Sequence, residues 1–245
     1  MKISASPCRQ VTQTPYLQPP NGAEAGGIHE RLVSGRVVGN PEVITLPRFG
    51  FVREAKDNPG MKIDVCPLTP DLWPHFVDLF GAKGACGGCW CMYWRIGSSY
   101  RKQPIHANKA AFQRIVKKGP PPGLLAFKGD LAVGWCQLTP RNALAWLNRT
   151  WRLKPVDDVP VWSISCFYIR KGCRRQGITS ALIAAAVKEA KKAGAPALEA
   201  YPLDADLTPS ASGTGYVSTF TRAGFKVTAL RTPPRPIVRL ELTSC

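Results

Sequence analysis

The sequence predicts a mixed α/β domain, a sheet flanked by helices, over residues 61–245. Three observations predict it. From Met61 onward, short apolar runs of strand length alternate with stretches of helical periodicity. Two of the runs, Gly123–Phe127 and Leu131–Leu138, flank the turn Lys128-Gly129-Asp130, which is a hairpin signal. Gly177–Ala193 places Ile178, Ala181, Leu182 and Ala185 on one helical face, with Lys188, Lys191 and Lys192 near the end that favours cations.

The elements follow in order. Ile63, Val65 and Cys66 suggest a first strand. Thr69-Pro70-Asp71 reads as a helix start, with a Thr cap, Pro at the first position and an acid facing the dipole; the helix runs to Phe80 and stops at Gly81. A second helix spans His106 to Lys118 and ends at Gly119 and three prolines. The hairpin comes next. Arg141–Pro160 is irregular, and Val161–Ile169 reads as a buried strand. After the helix that begins at Gly177 come a strand at Ala197–Tyr201, a short helix at Val217–Ala223, and strands at Phe225–Leu230 and Pro236–Leu242.

Residues 1–60 differ from the rest. They are rich in Gly and Pro, lack sustained periodicity, and offer only the stray fragments Arg36-Val37-Val38 and Val43–Leu46, so they read as a loosely ordered extension. Seven of their residues are Lys or Arg and five are acidic, which assigns +15 of the net +17 to the body. Such an excess favours an anionic partner: nucleic acid, an acidic membrane or a phosphorylated cofactor. The longest apolar run, Ala181–Val187, has seven residues, whereas a membrane span needs about 20. With no secretory leader in view, the expected location is the cytoplasm, and the nine cysteines read as reduced thiols.

The most informative segment is Ile164–Thr179. A strand runs into the basic turn Arg170-Lys171-Gly172-Cys173-Arg174-Arg175, and the turn opens a long helix. The first amides of a helix lack partners and lie at the positive end of its dipole, so they suit a phosphate. The Walker and dinucleotide patterns are both missing from the sequence.

Arg174–Thr179 instead resembles the acetyl-CoA signature Q/R-x-x-G-x-G/A of the GNAT N-acetyltransferases. Arg174 stands at the first position and Gly177 at the central glycine, while Thr179 replaces the final Gly/Ala. The upstream hairpin is similar to the family's second and third strands, and Arg222-Ala223-Gly224-Phe225 to its "K-x-G-F" element. The resemblance covers roughly residues 61–242. It implies a mostly antiparallel, twisted sheet with a splay between the fourth and fifth strands, here Val161–Ile169 and Ala197–Tyr201, that holds acetyl-CoA as cosubstrate. The pantetheine arm would lie on the backbone of Cys166, Phe167, Tyr168 and Ile169. The pyrophosphate would lie on Arg174, Arg175, Gln176, Gly177, Ile178, Thr179 and Ser180. The implied reaction is direct transfer of acetyl to an amine, read as a small molecule with a protein N-terminus or lysine as the other acceptor class, and with no membrane partner; a homodimer is compatible with it.

Amine acetylation needs a proton acceptor, an oxyanion donor and often an acid for the leaving thiolate. The tyrosine that many members of this family use as that acid aligns with Phe220 here, a departure from the pattern. Tyr216, one helical turn earlier, is the remaining candidate acid, and Glu199 is the candidate base. The stretch Cys86–Arg95 lies where such proteins build the acceptor pocket, so Trp90, Tyr93 and Trp94 are candidate pocket walls. Its thiols Cys86, Cys89 and Cys91 could ligate zinc only with a fourth group such as His75 or His106, and no metal is assigned. Two other readings remain. One is a domain of this kind that binds CoA as a sensor, prompted by Phe220. The other is a basic nucleic-acid-binding protein, which no helix-turn-helix, RNP or zinc-finger spacing supports.

Overall fold

Side-chain alternation along the hairpin builds a two-faced sheet. In the computed structural model of the protein, which describes residues 7–9, 62–85, 87–203 and 213–242, the strands are β1 (Ile63–Pro67), β2 (Gly123–Lys128), β3 (Leu131–Pro140), β4 (Trp162–Ile169), β5 (Ala197–Ala200), β6 (Lys226–Ala229) and β7 (Ile237–Glu241). They form one sheet in the order β1-β2-β3-β4-β5-β7-β6, antiparallel throughout except between β4 and β5. The helices are α1 (Trp73–Phe80), α2 (Tyr93–Ile96), α3 (Ile105–Lys118), α4 (Ala145–Arg149), α5 (Ile178–Lys192) and α6 (Val217–Arg222). Among the described residues, no helix is long and apolar enough to cross a membrane.

Leu124 and Ala126 of β2 face an aliphatic core shared with Ile178, Leu182 and Ala186 of α5 and with Phe220. Leu125 and Phe127 face the other way, into an aromatic core with Phe76 and Phe80 of α1, Phe112 of α3, Trp90 and Trp135. Period-2 alternation over strands buried on both faces produces this division. Gly134 sets the seat of α5: a Cβ there would lie 2.6 Å from Ile178 Cγ2 and 3.2 Å from Leu182 Cδ1. The missing side chain lets the first turn of α5 rest directly on β3.

Two features place the site. β4 and β5 pair only at Trp162↔Leu198, Ser163↔Glu199 and Ile164↔Ala200, and then part. On its other side β4 stays paired with β3 through Ile169, with one irregularity: Gln137 faces Cys166 and Leu138 faces Ile164, so Ser165 is an extra residue on β4. Such bulges re-aim side chains and are frequent beside active sites.

Three expectations need correction. Thr69 precedes the first helix as expected, but its hydroxyl makes no capping bond, and the first turn, Pro70–Leu72, is 3-10. The irregular stretch before β4 contains short helical turns at Arg141–Ala143, Ala145–Arg149 and Trp151–Leu153. The cysteines are not all reduced: Cys8 is joined to Cys66 by a disulfide, with their Cα atoms 5.4 Å apart. This seats the turn Pro7–Arg9 on β1. The fragments at 36–38 and 43–46 lie outside the described residues.

Candidate active site

The loop before α5 is held by its own side chains. Arg170 Nε donates to Ala132 O at 2.8 Å, and its Nη2 pairs with Asp78 of α1 at 2.6 Å, so this guanidinium anchors the loop rather than remaining available to a phosphate. Gln176 crosses the loop, donating to Gly172 O at 3.1 Å and accepting from Lys128. Lys171, Arg174 and Arg175 are exposed. Arg175 and Gly177 have φ values of 62° and 76°. The first backbone bond into α5 runs from Ala181 N to Gly177 O at 3.0 Å. Among the described residues, the amides of Gly177, Ile178, Thr179 and Ser180 have no acceptor. Consecutive amides behind a left-handed residue, at the positive end of a 15-residue helix, make an anion-binding nest. Apart from its chain neighbours, a Cβ on Gly177 would meet no atom of the described residues within 4 Å, so space for a ligand lies directly against it.

From this nest the splay leads through the sheet. Phe167 points to the α5 side, where its ring lies 6.1 Å from that of Phe220. Phe220, at the position of the family's usual acid, is fully buried. Gly215, next to Tyr216, sits against the rings of Phe220 and Phe167. That places Tyr216, a partly exposed residue before α6, beside β4. Cys166 and Tyr168 point to the opposite side, with the aromatic core.

On that opposite side a polar knot fixes the bulge. Trp94 Nε1 donates to Ser165 O at 2.8 Å. Ser165 Oγ donates to Gln137 Oε1 at 2.9 Å, and Gln137 Nε2 donates to Cys91 O at 3.2 Å. Trp90 and Cys91 adopt φ values of 44° and 58°, strained for residues with side chains. This turn brings the Cys91 sulfur to the indole of Trp135, which donates to it at 3.0 Å. Burial raises the Cys91 thiol well above its usual range, and a hydrogen bond from Cys91 lowers that of Cys166 against the opposing effect of burial.

The candidate pocket walls divide. Tyr93 is exposed and stacks edge-on against Trp94, 4.7 Å between centroids, so these two stand together beside the β4 bulge. Trp90 does not join them. It is fully buried, 5.6 Å from Phe80 and 6.1 Å from Phe76, so it belongs to the core, because α1 folds over it. Among the described residues no three metal-ligating side chains come together; Cys86 lies outside them.

Glu199 faces the same side as Trp94 but is enclosed. Its Oε1 accepts from Arg239 Nε at 3.1 Å and Nη2 at 2.7 Å; its Oε2 accepts from Arg141 Nη1 at 2.8 Å and Tyr201 Oη at 3.2 Å. A carboxylate has about four acceptor positions, and all are occupied. Arg239 also grips Asp157 bidentately at 2.6 and 2.9 Å, which raises the guanidinium further and lowers the Asp157 carboxyl. Tyr201 accepts from Arg141 Nη1 at 2.7 Å and lies 2.8 Å from Ser163 Oγ; burial raises its phenol. The expected base is thus the centre of a buried ion-pair network. Sequence reasoning missed Arg141, Asp157, Tyr201 and Arg239; Arg239 stands opposite Glu199 only in the β5–β7 register, which the local pattern does not set.

The sequence model of the acetyltransferase (GNAT) family matches residues 90–210. This region runs from the Trp90 turn through the splay and α5. Among solved structures, an N-acetyltransferase from Staphylococcus aureus Mu50 is similar at 15% identity over 74% of this chain and 99% of its own, with a TM-score of 0.45. The acetyltransferase YncA from Salmonella typhimurium, solved with acetyl-CoA, is similar at 12% over 75% and 95%, TM-score 0.45. The GNAT domain of an S. lividans protein, PAT, is similar at 15% over 73% and 89%, TM-score 0.47. No curated protein matches the chain.

Proposed function

We propose that this protein transfers acetyl from acetyl-CoA to the amine of a small molecule, by direct attack in a ternary complex. The observation that carries the reading is the opening between β4 and β5, with the amides of Gly177–Ser180, unpartnered among the described residues, at one end of it. In this reading the pyrophosphate sits on those amides with Arg174, Arg175 and Gln176 around it. The pantetheine extends β4 along Cys166–Ile169, where β5 has left. The thioester reaches the bulge at Ser165, beside Trp94 and Tyr93.

The chemistry asks little of side chains. The amine nitrogen attacks the thioester carbonyl, a tetrahedral oxyanion forms, and the C–S bond breaks to give amide and CoA thiolate. A thiol of ordinary pKa, about 8.5, leaves tolerably as an anion, and holding the two reactants together supplies much of the rate. Tyr216 is the candidate donor to the thiolate. With Glu199 enclosed, water at the mouth of the splay takes the amine proton. Calorimetry with CoA, followed by thiol release from acetyl-CoA with a panel of amines, tests the reading; CoA that fails to bind ends it.

The sensor reading has one observation in its favour, the burial of Phe220 where an acid is usual. CoA binding without turnover on any amine would select it.

A further inference from the structure

The arginines around the mouth of the splay are unequally satisfied. Arg239 and Arg141 meet carboxylates. Arg235, in the turn before β7, does not. Its Nη1 donates to Tyr201 O at 3.1 Å and to Thr214 Oγ1 at 2.9 Å, and among the described residues it takes part in no ion pair. Among the same residues its Nε and Nη2, the edge that grips a carboxylate or phosphate side-on, have no acceptor. The side chain is half-buried, and burial lowers its pKa, so the cation is partly desolvated, and no acid among the described residues neutralises it.

Its position gives that fork a purpose. Tyr201 directly follows β5, so Arg235 is tied to the β5 lip of the splay. Trp94 is tied to the β4 lip through Ser165 O. Tyr93, packed on Trp94, is close enough to Arg235 for its phenol to influence the guanidinium.

We infer that Arg235 is an anion-recognition residue for the acceptor: the amine substrate carries an oxyanion, carboxylate or phosphate, that docks on the Nε/Nη2 edge of Arg235 beside Tyr93. This rests on reading the splay as the cofactor channel, and it narrows the acceptor from any amine to an anionic one. A neutral amine does not supply the counter-charge that the described residues lack, and a polycationic one meets repulsion.

The test is calorimetry on the full chain saturated with CoA, using matched probes: γ-aminobutyrate against its carboxamide, and O-phosphoethanolamine against ethanolamine. Wild type binds the oxyanion member of at least one pair about tenfold or more tighter than its neutral partner, as a charge-assisted bidentate contact requires. Which pair responds distinguishes carboxylate from phosphate. Arg235→Gln, which can keep a bond to Tyr201 O without the charge, loses the discrimination while CoA affinity stays at the wild-type value. Arg235→Ala serves as the second variant, with its melting temperature measured alongside. Equal affinity within every pair in wild type, no binding by either oxyanion, or discrimination that survives Arg235→Gln overturns the inference. Discrimination that follows this pattern while acetyl-CoA is never consumed leaves the anion site standing and removes the transferase reading.

Discussion

The two sides of the splay solve their problems with different material. On the α5 side the work falls to backbone: four amides without partners among the described residues, a left-handed glycine and a helix dipole, all within one short stretch. On the opposite side it falls to side chains gathered from afar. Arg141 and Glu199 are 58 residues apart, Glu199 and Arg239 are 40 apart, and Asp157 and Arg239 are 82 apart. A site made of consecutive backbone is written in consecutive letters. A site made of converging side chains exists only after the sheet has set its register.

The largest expected effect breaks the side-chain half. Glu199→Ala leaves Arg141 and Arg239 buried and short of a counter-charge. Removing one partner of a buried ion pair costs about 3–5 kcal/mol, read as a fall in the urea midpoint. Glu199→Gln also destabilises, because its amide NH2 must face a guanidinium. The outcome that reverses this assignment is a Glu199→Gln protein of wild-type stability whose acyl transfer at saturating acetyl-CoA is a thousandfold slower. Glu199 would then be the base after all.

The backbone half is sharpened by Gly177→Val. Among the described residues nothing beyond the chain neighbours opposes a new Cβ, so the variant pays only for a left-handed residue, about 1–2 kcal/mol. A phosphate that approaches this amide would also meet the branched side chain. CoA affinity should therefore fall by more than the loss of stability explains, at least about tenfold. Unchanged CoA affinity in a folded Gly177→Val protein would remove the nest from the cofactor site.

The contrast also explains what could be read in advance. The hairpin, α5 and the loop before it carry local signals, and their boundaries in the structure lie within one or two residues of those the pattern suggests. Trp90 misled because an aromatic in a Gly- and Cys-rich turn has no periodicity to reveal its burial; Phe76 and Phe80 of α1 decide that, and they come from another segment. Glu199 misled in the opposite way. An acid in a buried strand looks functional until its counter-charges are known, and one of them, Arg141, comes from a stretch with no periodic pattern. The Cys8–Cys66 bond joins positions 58 residues apart, and spacing alone does not pair nine cysteines.

A smaller effect is expected at the place where the halves meet. Tyr216 lies beside β4, but the thiolate it would protonate is a tolerable leaving group. A general acid that was needed would be worth 10²–10⁴-fold, so Tyr216→Phe should slow turnover by less than about tenfold. A thousandfold fall with acetyl-CoA affinity intact would make Tyr216 a relocated acid and give this half of the site an essential side chain.

The smallest effect concerns protonation, not fold or rate. The Trp135 indole donates to the Cys91 sulfur, and Cys91 donates to Cys166, so the negative charge of a Cys166 thiolate is stabilised while Cys91 stays protonated. A lowered thiol pKa means more thiolate at a given pH, and removing the donor must raise that pKa again. Iodoacetamide attacks only the thiolate, so the pH at which Cys166 alkylates half-maximally should lie below that of an ordinary cysteine. Cys91→Ala should move it upward and slow alkylation at pH 7 several-fold, because a thiol whose pKa rises by one holds about tenfold less thiolate at that pH. Mass spectrometry of the labelled peptide separates Cys166 from the other thiols, Cys89 and Cys173 among them. If the pantetheine lies along Cys166–Ile169, saturating CoA should protect Cys166 and leave Cys173 labelling unchanged. A Cys166 profile centred at or above the ordinary thiol value, and indifferent to Cys91→Ala, would mean that burial outweighs the hydrogen bond and that the thiol pair is packing alone.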